Sequence, residues 1–165
     1  MGEFYLSLRP QAYFVKVGET MAYGVEARNA EEEKVAVDKV YGEVYRLEWE
    51  KEKEKWREIP SQFLSASLSS GAGEIRIIPD RSGYYRLEVY TQDKSGNKIL
   101  ASSYFWVTGE DLYYPSQDLE VRWDKESYRV GEKARVLIIP PREGTFTFLF
   151  SIEGSNLQEA EVKQI

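Results

Sequence analysis

The sequence predicts an all-β protein: an immunoglobulin-like antiparallel β-sandwich followed by a second, incomplete β-sandwich domain. Three observations lead to this fold class. Apolar and polar residues alternate with a period of two, which is typical of half-buried strands. Turn-forming residues interrupt the alternation roughly every ten residues. Aromatic residues make up 14% of the chain, and bulky flat side chains favour sheets over helices.

The segment 1–109 contains the runs of alternating residues that one complete sandwich requires. In chain order the residues that carry this pattern in each run are Phe4, Leu6 and Leu8; Met21, Tyr23, Val25 and Ala27; Tyr45, Leu47 and Trp49; Phe63, Ala66 and Leu68; Ile75 and Ile77; Tyr85, Leu87 and Val89; and Leu100, Ser102, Tyr104 and Trp106. We therefore expect a two-sheet core built from these faces.

Several turns between the runs can be assigned from local chemistry. The segment Asp93–Asn97 suits a hairpin loop with positive φ at Gly96 and Asn97. Further turns are predicted at 79–83 and 69–73. The run Glu50–Lys55 alternates acids with bases, and we interpret it as a solvated hairpin tip. A short helix held by i,i+4 ion pairs remains the alternative.

A domain boundary is predicted near Gly109, because the segment 110–117 lacks alternation and is assigned as a linker. A new strand pattern then begins, so 118–165 is assigned as the N-terminal part of a second sandwich. This segment is only about half of the ~100 residues that a sandwich needs. The motif Gly18-Glu19 recurs as Gly131-Glu132, each after an aromatic residue and before a strand, which predicts the same turn in both domains.

Composition excludes most enzyme classes. The chain has no Cys and no His, which removes disulfides, thiol nucleophiles, His bases and nearly all zinc, copper and haem sites. The net charge is −6, with the bases interspersed among acids, so nucleic-acid binding is not expected. We predict a non-enzyme with no catalytic residue, no cofactor-binding residue, no cofactor and no metal ligand. No apolar run is long enough to span a membrane.

Two aromatic groups have a functional and a structural interpretation. Trp106, with Phe105 and Tyr104, could form a ligand-stacking platform, but we favour burial of Trp106 in the core with Tyr104 on the same face. Tyr113 and Tyr114 beside Pro115 could form a recognition loop, although packing between the two domains is the favoured interpretation.

Two acidic groups were also considered as sites. The cluster Glu31–Glu33 could bind a cation, but three adjacent acids cannot all face one ion, so a solvated loop is favoured. Asp80 and Asp93 could pair as the carboxylates of a glycoside hydrolase, although nothing in the sequence brings them together.

A series of motifs resembles bacterial alpha-2-macroglobulins. The segments 82–89, 93–97 and 103–109, with Tyr84, Gly96 and Trp106 as markers, are similar to the end of a macroglobulin domain. The segments 119–134 and 138–144 are similar to the start of the macroglobulin domain that follows. The resemblance covers roughly residues 76–165 and lies in the order and spacing of the motifs.

The resemblance implies a function. Members of this family are large multidomain protease traps, in which cleavage of a bait segment closes the chain around the protease, often with capture by a Cys-Gln thioester. This chain has no Cys, so we expect no thioester. In the family the bait lies beyond the strands found here, so we expect these residues to be a non-catalytic scaffold. Expected partners are target proteases, bound through the parent protein, and neighbouring macroglobulin domains. The expected location is extracellular or periplasmic. The alternative is a β-sandwich adhesion or carbohydrate-binding module of a larger secreted protein.

Overall fold

A computed structural model describes residues 3–109, 118–141, 144–153 and 157–164. These ranges are almost entirely strands and turns, and the all-β prediction is confirmed. In these ranges no helix is long and apolar enough to cross a membrane.

The described residues form twelve strands and one 3₁₀ turn. In chain order the strands are β1 (Tyr5–Pro10), β2 (Phe14–Lys16), β3 (Met21–Arg28), β4 (Lys39–Glu50), β5 (Lys55–Ser67), β6 (Ala72–Ile77), β7 (Gly83–Gln92), β8 (Lys98–Thr108), β9 (Glu120–Trp123), β10 (Val136–Ile139), β11 (Thr147–Glu153) and β12 (Leu157–Gln164). The 3₁₀ turn, Lys51–Lys53, joins β4 to β5.

Strands β1 to β8 form a sandwich of a three-stranded sheet, β1-β3-β6, and a five-stranded sheet, β2-β8-β7-β4-β5. Neighbouring strands are antiparallel except β2 and β8, which are parallel with Phe14 opposite Trp106. The chain leaves the three-stranded sheet after Pro10 and joins the other sheet at Phe14. This change of sheet aligns β2 with β8, so the sandwich is not wholly antiparallel as predicted.

The remaining strands form two small antiparallel sheets, β9-β10 and β11-β12. We call β1–β8 the sandwich and β9–β12 the appended unit. The last strand of the sandwich ends at Thr108 and the next described strand begins at Glu120. The domain bounds 1–109, 110–117 and 118–165 stay a prediction.

The core of the sandwich lies between its two sheets and is rich in β-branched and aromatic side chains. Tyr23 of β3 meets Phe105 of β8 edge to face, with ring centroids 6.1 Å apart. Phe105 also stacks on Tyr85 of β7 at 5.2 Å. All three rings are at most 1% exposed, so this aromatic trio joins the two sheets.

The inward face of β8 differs from the prediction. Phe105 and Val107 point into the sandwich core, whereas Leu100 and Tyr104 are 47% and 49% exposed on the outer face. Trp106 lies on this outer face and is nevertheless only 4% exposed, because the appended unit covers it. Trp106 is therefore buried and shares its face with Tyr104 as predicted, but this face lies outside the sandwich core and Tyr104 is half exposed.

The repeated Gly-Glu motif forms the same turn twice. The N–H of Lys16 donates to Oε2 of Glu19 at 2.9 Å, and the N–H of Glu19 donates back to the Lys16 carbonyl at 3.0 Å. In the second turn the N–H of Arg129 donates to Oε2 of Glu132 at 2.8 Å, and the N–H of Glu132 donates to the Arg129 carbonyl at 3.0 Å. The glycine between them has φ of 79° at Gly18 and 88° at Gly131. The predicted equivalence of the two turns is confirmed at the level of individual hydrogen bonds.

Two other predicted turns can be compared with the structure. The run Glu50–Lys55 is the tip of the β4–β5 hairpin and contains one 3₁₀ turn, and Trp49 and Trp56 pack edge to face across its base at 5.3 Å. In the loop after β7, Gly96 has a φ of 83°, but Asn97 is not among the residues with positive φ. The prediction for Asn97 is wrong, because its N–H is held instead by Oδ1 of Asp93 at 2.8 Å.

The β4–β5 ladder contains a β-bulge. Val44 pairs with Gln62 and Tyr45 pairs with Pro60, which leaves Ser61 without an opposite residue. As a result Ile59 and Leu64, which are an odd number of residues apart, are both half-buried. Phe63, which belongs to one of the predicted apolar runs, is 64% exposed.

Replacing Phe105 with Ala is expected to lower the free energy of unfolding by about 3–5 kcal/mol, since it removes a buried ring from the core. The control Leu100→Ala changes an exposed residue of the same strand and should cost about 0.5 kcal/mol or less. Urea unfolding measures both. Similar losses for the two variants would contradict the assignment of the β8 faces.

Replacing Gly18 with Ala is expected to destabilise the protein by about 1–2 kcal/mol, because an L-residue is strained at this φ. No atom lies within 4 Å of the added Cβ, so the cost is conformational rather than steric. The control Gly24→Ala lies in regular β3, where the new Cβ comes no closer than 3.8 Å to Arg9, and should be neutral or slightly stabilising. Thermal unfolding of both variants checks the difference.

Candidate functional site at the junction

A small hydrophobic cluster joins the sandwich to the appended unit. Phe14 of β2 and Trp106 of β8 pack against Leu137 and Ile139 of β10, with Tyr84 at the margin. The first four side chains are 4–7% exposed. Burial of two aromatic rings against two aliphatic side chains favours one fixed arrangement of the two parts.

Main-chain hydrogen bonds continue across the same junction. The carbonyl of Tyr13 accepts the N–H of Trp106 at 3.1 Å, and the N–H of Tyr13 donates to the carbonyl of Asp124 at 2.9 Å. Tyr13 therefore links strand β8 to the residue that follows β9.

Asp124 is the central polar residue of the junction and is 4% exposed. Its carboxylate accepts the hydroxyl of Tyr128, the N–H of Arg135 at 3.1 Å and Nε of Arg135 at 3.4 Å. Its own N–H donates to the Arg135 carbonyl at 3.1 Å. A buried carboxylate is costly unless it is hydrogen-bonded, and here three donors satisfy it.

Arg135 extends this network into the sandwich. Its Nη1 lies 3.1 Å from Oε2 of Glu19, the residue that closes the first Gly-Glu turn. Its guanidinium also lies over the Phe14 ring, 5.6 Å from the centroid. Glu19 and Arg135 are each about two-fifths exposed, so this ion pair contributes little by itself and mainly orients the guanidinium.

The same contacts shift the pKa values of two acids. Burial raises the pKa of Asp124, but hydrogen bonds from Tyr128 and Arg135 lower it by more in total, so the net pKa is below the ordinary value. The pKa of Glu19 is also lowered, first by the N–H of Lys16 and then by Arg135. Both groups are therefore stabilised as carboxylates in the folded protein.

A cleft of about 640 Å³ opens beside the junction, and we call it the junction cleft. Its lining comes from both parts of the chain and is mainly aromatic: Tyr13, Tyr84, Tyr104, Trp106, Trp123 and Tyr128, with Arg122, Lys125 and Glu126. Tyr104 and Trp123 are 49% and 54% exposed. The volume lies within the ~300–1,000 Å³ of small-molecule sites.

The charged residues of the junction cleft are held by neighbours. Oε1 of Glu126 accepts the Tyr13 hydroxyl at 2.7 Å, and Nη2 of Arg122 lies 2.7 Å from Glu120. Lys125 pairs with Glu132 at 3.2 Å. Among the described lining residues Glu126 is the only acid, so this geometry suits binding rather than paired acid–base chemistry.

The other sequence candidates do not assemble into a site. Asp80 and Asp93 flank the two ends of β7 and are separated by roughly 30 Å along the strand, far beyond the reach of a carboxylate pair. Glu31, Glu32 and Glu33 lie in an exposed loop where Asn29 accepts two of their N–H groups. In the described ranges no group of three or more acids could hold a metal ion.

Residues Tyr113, Tyr114 and Pro115 lie outside the described residues, and so does the predicted linker. Sequence reasoning did not single out Asp124, Arg135 or the exposed Trp123 as site residues. The sequence carries one signal of the junction: the continuous apolar run Phe105–Val107, which is typical of a strand covered on both faces.

Comparison with known proteins finds a relative for part of the chain. No family model matches the chain. An alpha-2-macroglobulin homolog from Nostoc sp. is 34% identical over 77 residues, which is 44% of this chain and 4% of that protein. This relation supports the sequence resemblance to alpha-2-macroglobulins.

A solved structure gives the same indication for the fold. Trypsin-activated alpha-2-macroglobulin from Escherichia coli has a TM-score of 0.52 at 18% identity, covering 99% of this chain and 13% of that one. Salmonella alpha-2-macroglobulin reacted with methylamine has a TM-score of 0.49 at 18% identity, covering 99% of this chain and 12% of that one. The chain spans only a small part of each relative.

Replacing Asp124 with Asn is expected to lower the free energy of unfolding by about 1–3 kcal/mol at neutral pH, since charge-assisted hydrogen bonds are lost. A carboxyl group whose pKa is lowered by folding stabilises the protein above its unfolded pKa of about 3.9. That contribution disappears as the pH falls through the folded pKa. The difference between the two proteins should therefore shrink below about pH 4.

Urea unfolding at neutral pH and near pH 3 measures this difference. The control Asp38→Asn makes the same substitution at an exposed position and should change the free energy by no more than about 0.5 kcal/mol. An undiminished difference for Asp124→Asn at low pH would contradict the role assigned to its charge.

Proposed function

We propose that this chain is a non-catalytic scaffold segment of an alpha-2-macroglobulin-like protein that traps and inhibits endopeptidases. The observation that carries this proposal is the 34% identity over 77 residues with an alpha-2-macroglobulin homolog. The likeness to the Escherichia coli protein, at 18% identity, supports the macroglobulin-like fold.

The geometry of the junction suits a scaffold. A protein that closes on cleavage needs modules whose relative orientation is retained, so that displacement of one part moves the next. Here the cluster around Trp106, the hydrogen bond from the Tyr13 N–H to the Asp124 carbonyl and the ion pair of Arg135 with Glu19 hold the sandwich and the appended unit together. Packed cores transmit such displacement because they have low compressibility.

The chemistry of the chain fits the same role. Without Cys it cannot supply a thioester, and without His or Cys it lacks the usual nucleophile–base pair of a hydrolase. We therefore assign no catalytic step to these residues. Proteases are contacted through the parent protein, neighbouring macroglobulin domains are partners, and the proposed location is extracellular or periplasmic.

The test uses the native full-length protein that contains this sequence. It is incubated with trypsin, chymotrypsin or elastase, and the remaining activity is measured on casein and on a small chromogenic peptide. Trapping encloses a protease without blocking its active site, so casein cleavage should be lost while peptide cleavage is retained. Equal effects on both substrates, or no effect with any of the three proteases, would refute the proposal.

The scaffold role is tested in the same assay with Asp124→Asn in the full-length protein. A loosened junction should lower the fraction of protease that is trapped, whereas the exposed control Asp38→Asn should trap as well as the native protein. Equal trapping by both variants would show that the junction has no part in the function.

A further inference from the structure

Exposed aromatic rings continue from the junction cleft across the outer face of the five-stranded sheet. Trp49 and Trp56 pair at 5.3 Å, Trp56 approaches Tyr84 at 6.3 Å, and Tyr84 stacks on Tyr104 at 5.4 Å. Trp106 lies 4.5 Å from Tyr84 beneath this row. The result is a band of touching rings that leads from the β4–β5 hairpin tip to the cleft.

The band remains open to solvent at several rings although it is strongly apolar. Trp56 is 36% exposed, Tyr104 49% and Trp123 54%. Contiguous exposed apolar patches on soluble proteins typically mark binding surfaces. Trp and Tyr are well suited to this, because they offer a large contact area at a small loss of conformational entropy.

The polar groups of the cleft include both donors and acceptors, and most are held in place. The hydroxyl of Tyr13 donates to Oε1 of Glu126 at 2.7 Å and so positions this carboxylate. Glu120 binds Nε and Nη2 of Arg122, while Nη1 carries further N–H groups. The lining carries one acid, Glu126, and two bases, Arg122 and Lys125, which are paired with Glu120 and Glu132.

We propose that the junction cleft binds a neutral oligosaccharide. A pyranose ring has a face of C–H groups that stacks on an aromatic ring and a rim of hydroxyls that both donate and accept hydrogen bonds. Tyr104 and Trp123 supply the stacking rings, and Glu126 and Arg122 supply an acceptor and a donor for the hydroxyls. Because both bases of the lining are already ion-paired, the cleft suits a ligand without net charge.

A proline-rich peptide fits this surface less well. Aromatic grooves for such peptides hold the ligand between aromatic side chains. Tyr84 and Tyr104 stack on each other at 5.4 Å, so their facing surfaces are already occupied. An oligosaccharide needs only one open ring face at each position, which the exposed sides of Tyr104 and Trp123 provide.

The binding test uses the chain with cellohexaose, laminarihexaose and chitohexaose, and with decaproline as the competing ligand. Titration is followed by calorimetry and by the indole N–H signals in NMR spectra. At least one hexasaccharide should bind and shift the signals of Trp123 and Trp106. Tyr104→Ala and Trp123→Ala should each weaken that binding by about tenfold, because each removes one stacking ring.

The matched control is Phe63→Ala, which removes a 64% exposed aromatic ring elsewhere in the five-stranded sheet. It should leave sugar affinity unchanged. Since the substituted residues are exposed, the variants should unfold at nearly the same urea concentration as the native chain. The proposal is overturned if no hexasaccharide binds at about 5 mM, if decaproline binds more tightly, or if Phe63→Ala is as damaging as Trp123→Ala.

This proposal does not depend on the protease-trap function. The trapping assay contains no sugar and the sugar titration contains no protease. Failure of either experiment therefore leaves the result of the other intact.

Discussion

Strand β8 is covered on both faces over Phe105–Val107, and the arrangement of the rest of the protein depends on this. Phe105 and Val107 point into the sandwich, where Phe105 meets Tyr23 and Tyr85 and so connects the two sheets. Trp106 points outwards and is covered by the appended unit. A single tripeptide thus contributes to the sandwich core and to the junction, because adjacent residues of a strand face opposite ways.

The junction combines apolar burial with a polar network of defined geometry. The cluster around Trp106 excludes water, and the Asp124 carboxylate positions Arg135, whose Nη1 reaches Glu19 of the sandwich. Apolar contacts alone tolerate sliding, whereas a buried carboxylate with several donors is satisfied in few arrangements. The relative position of the two parts therefore follows from chemistry that the sandwich and the appended unit share.

Local patterns predicted the strands, the hairpin tip and the repeated Gly-Glu turn, because alternation and turn chemistry act between near neighbours. Local patterns did not show which face of a strand enters the sandwich core. The run Phe105–Val107 is apolar in both phases, so alternation could not show which residue enters the sandwich core. The Asp124 network and the junction cleft join residues far apart in sequence, such as Tyr13 and Glu126, and no local signal encodes such contacts. Resemblance to a family supplied the fold type, but not these contacts.

The bulge at Ser61 makes the length of β5 as important as its composition. On one side of this residue Ile59 is half-buried, and on the other side Leu64 and Ala66 are half-buried, so the buried phase changes at the bulge. Loss of Ser61 itself would restore regular pairing, with Pro60 and Gln62 still opposite Tyr45 and Val44 and both halves of the strand on their present faces. Loss of a residue further along β5 would instead turn over the side chains between the deletion and the bulge. The bulge is therefore the place where this strand should best accept a single deletion.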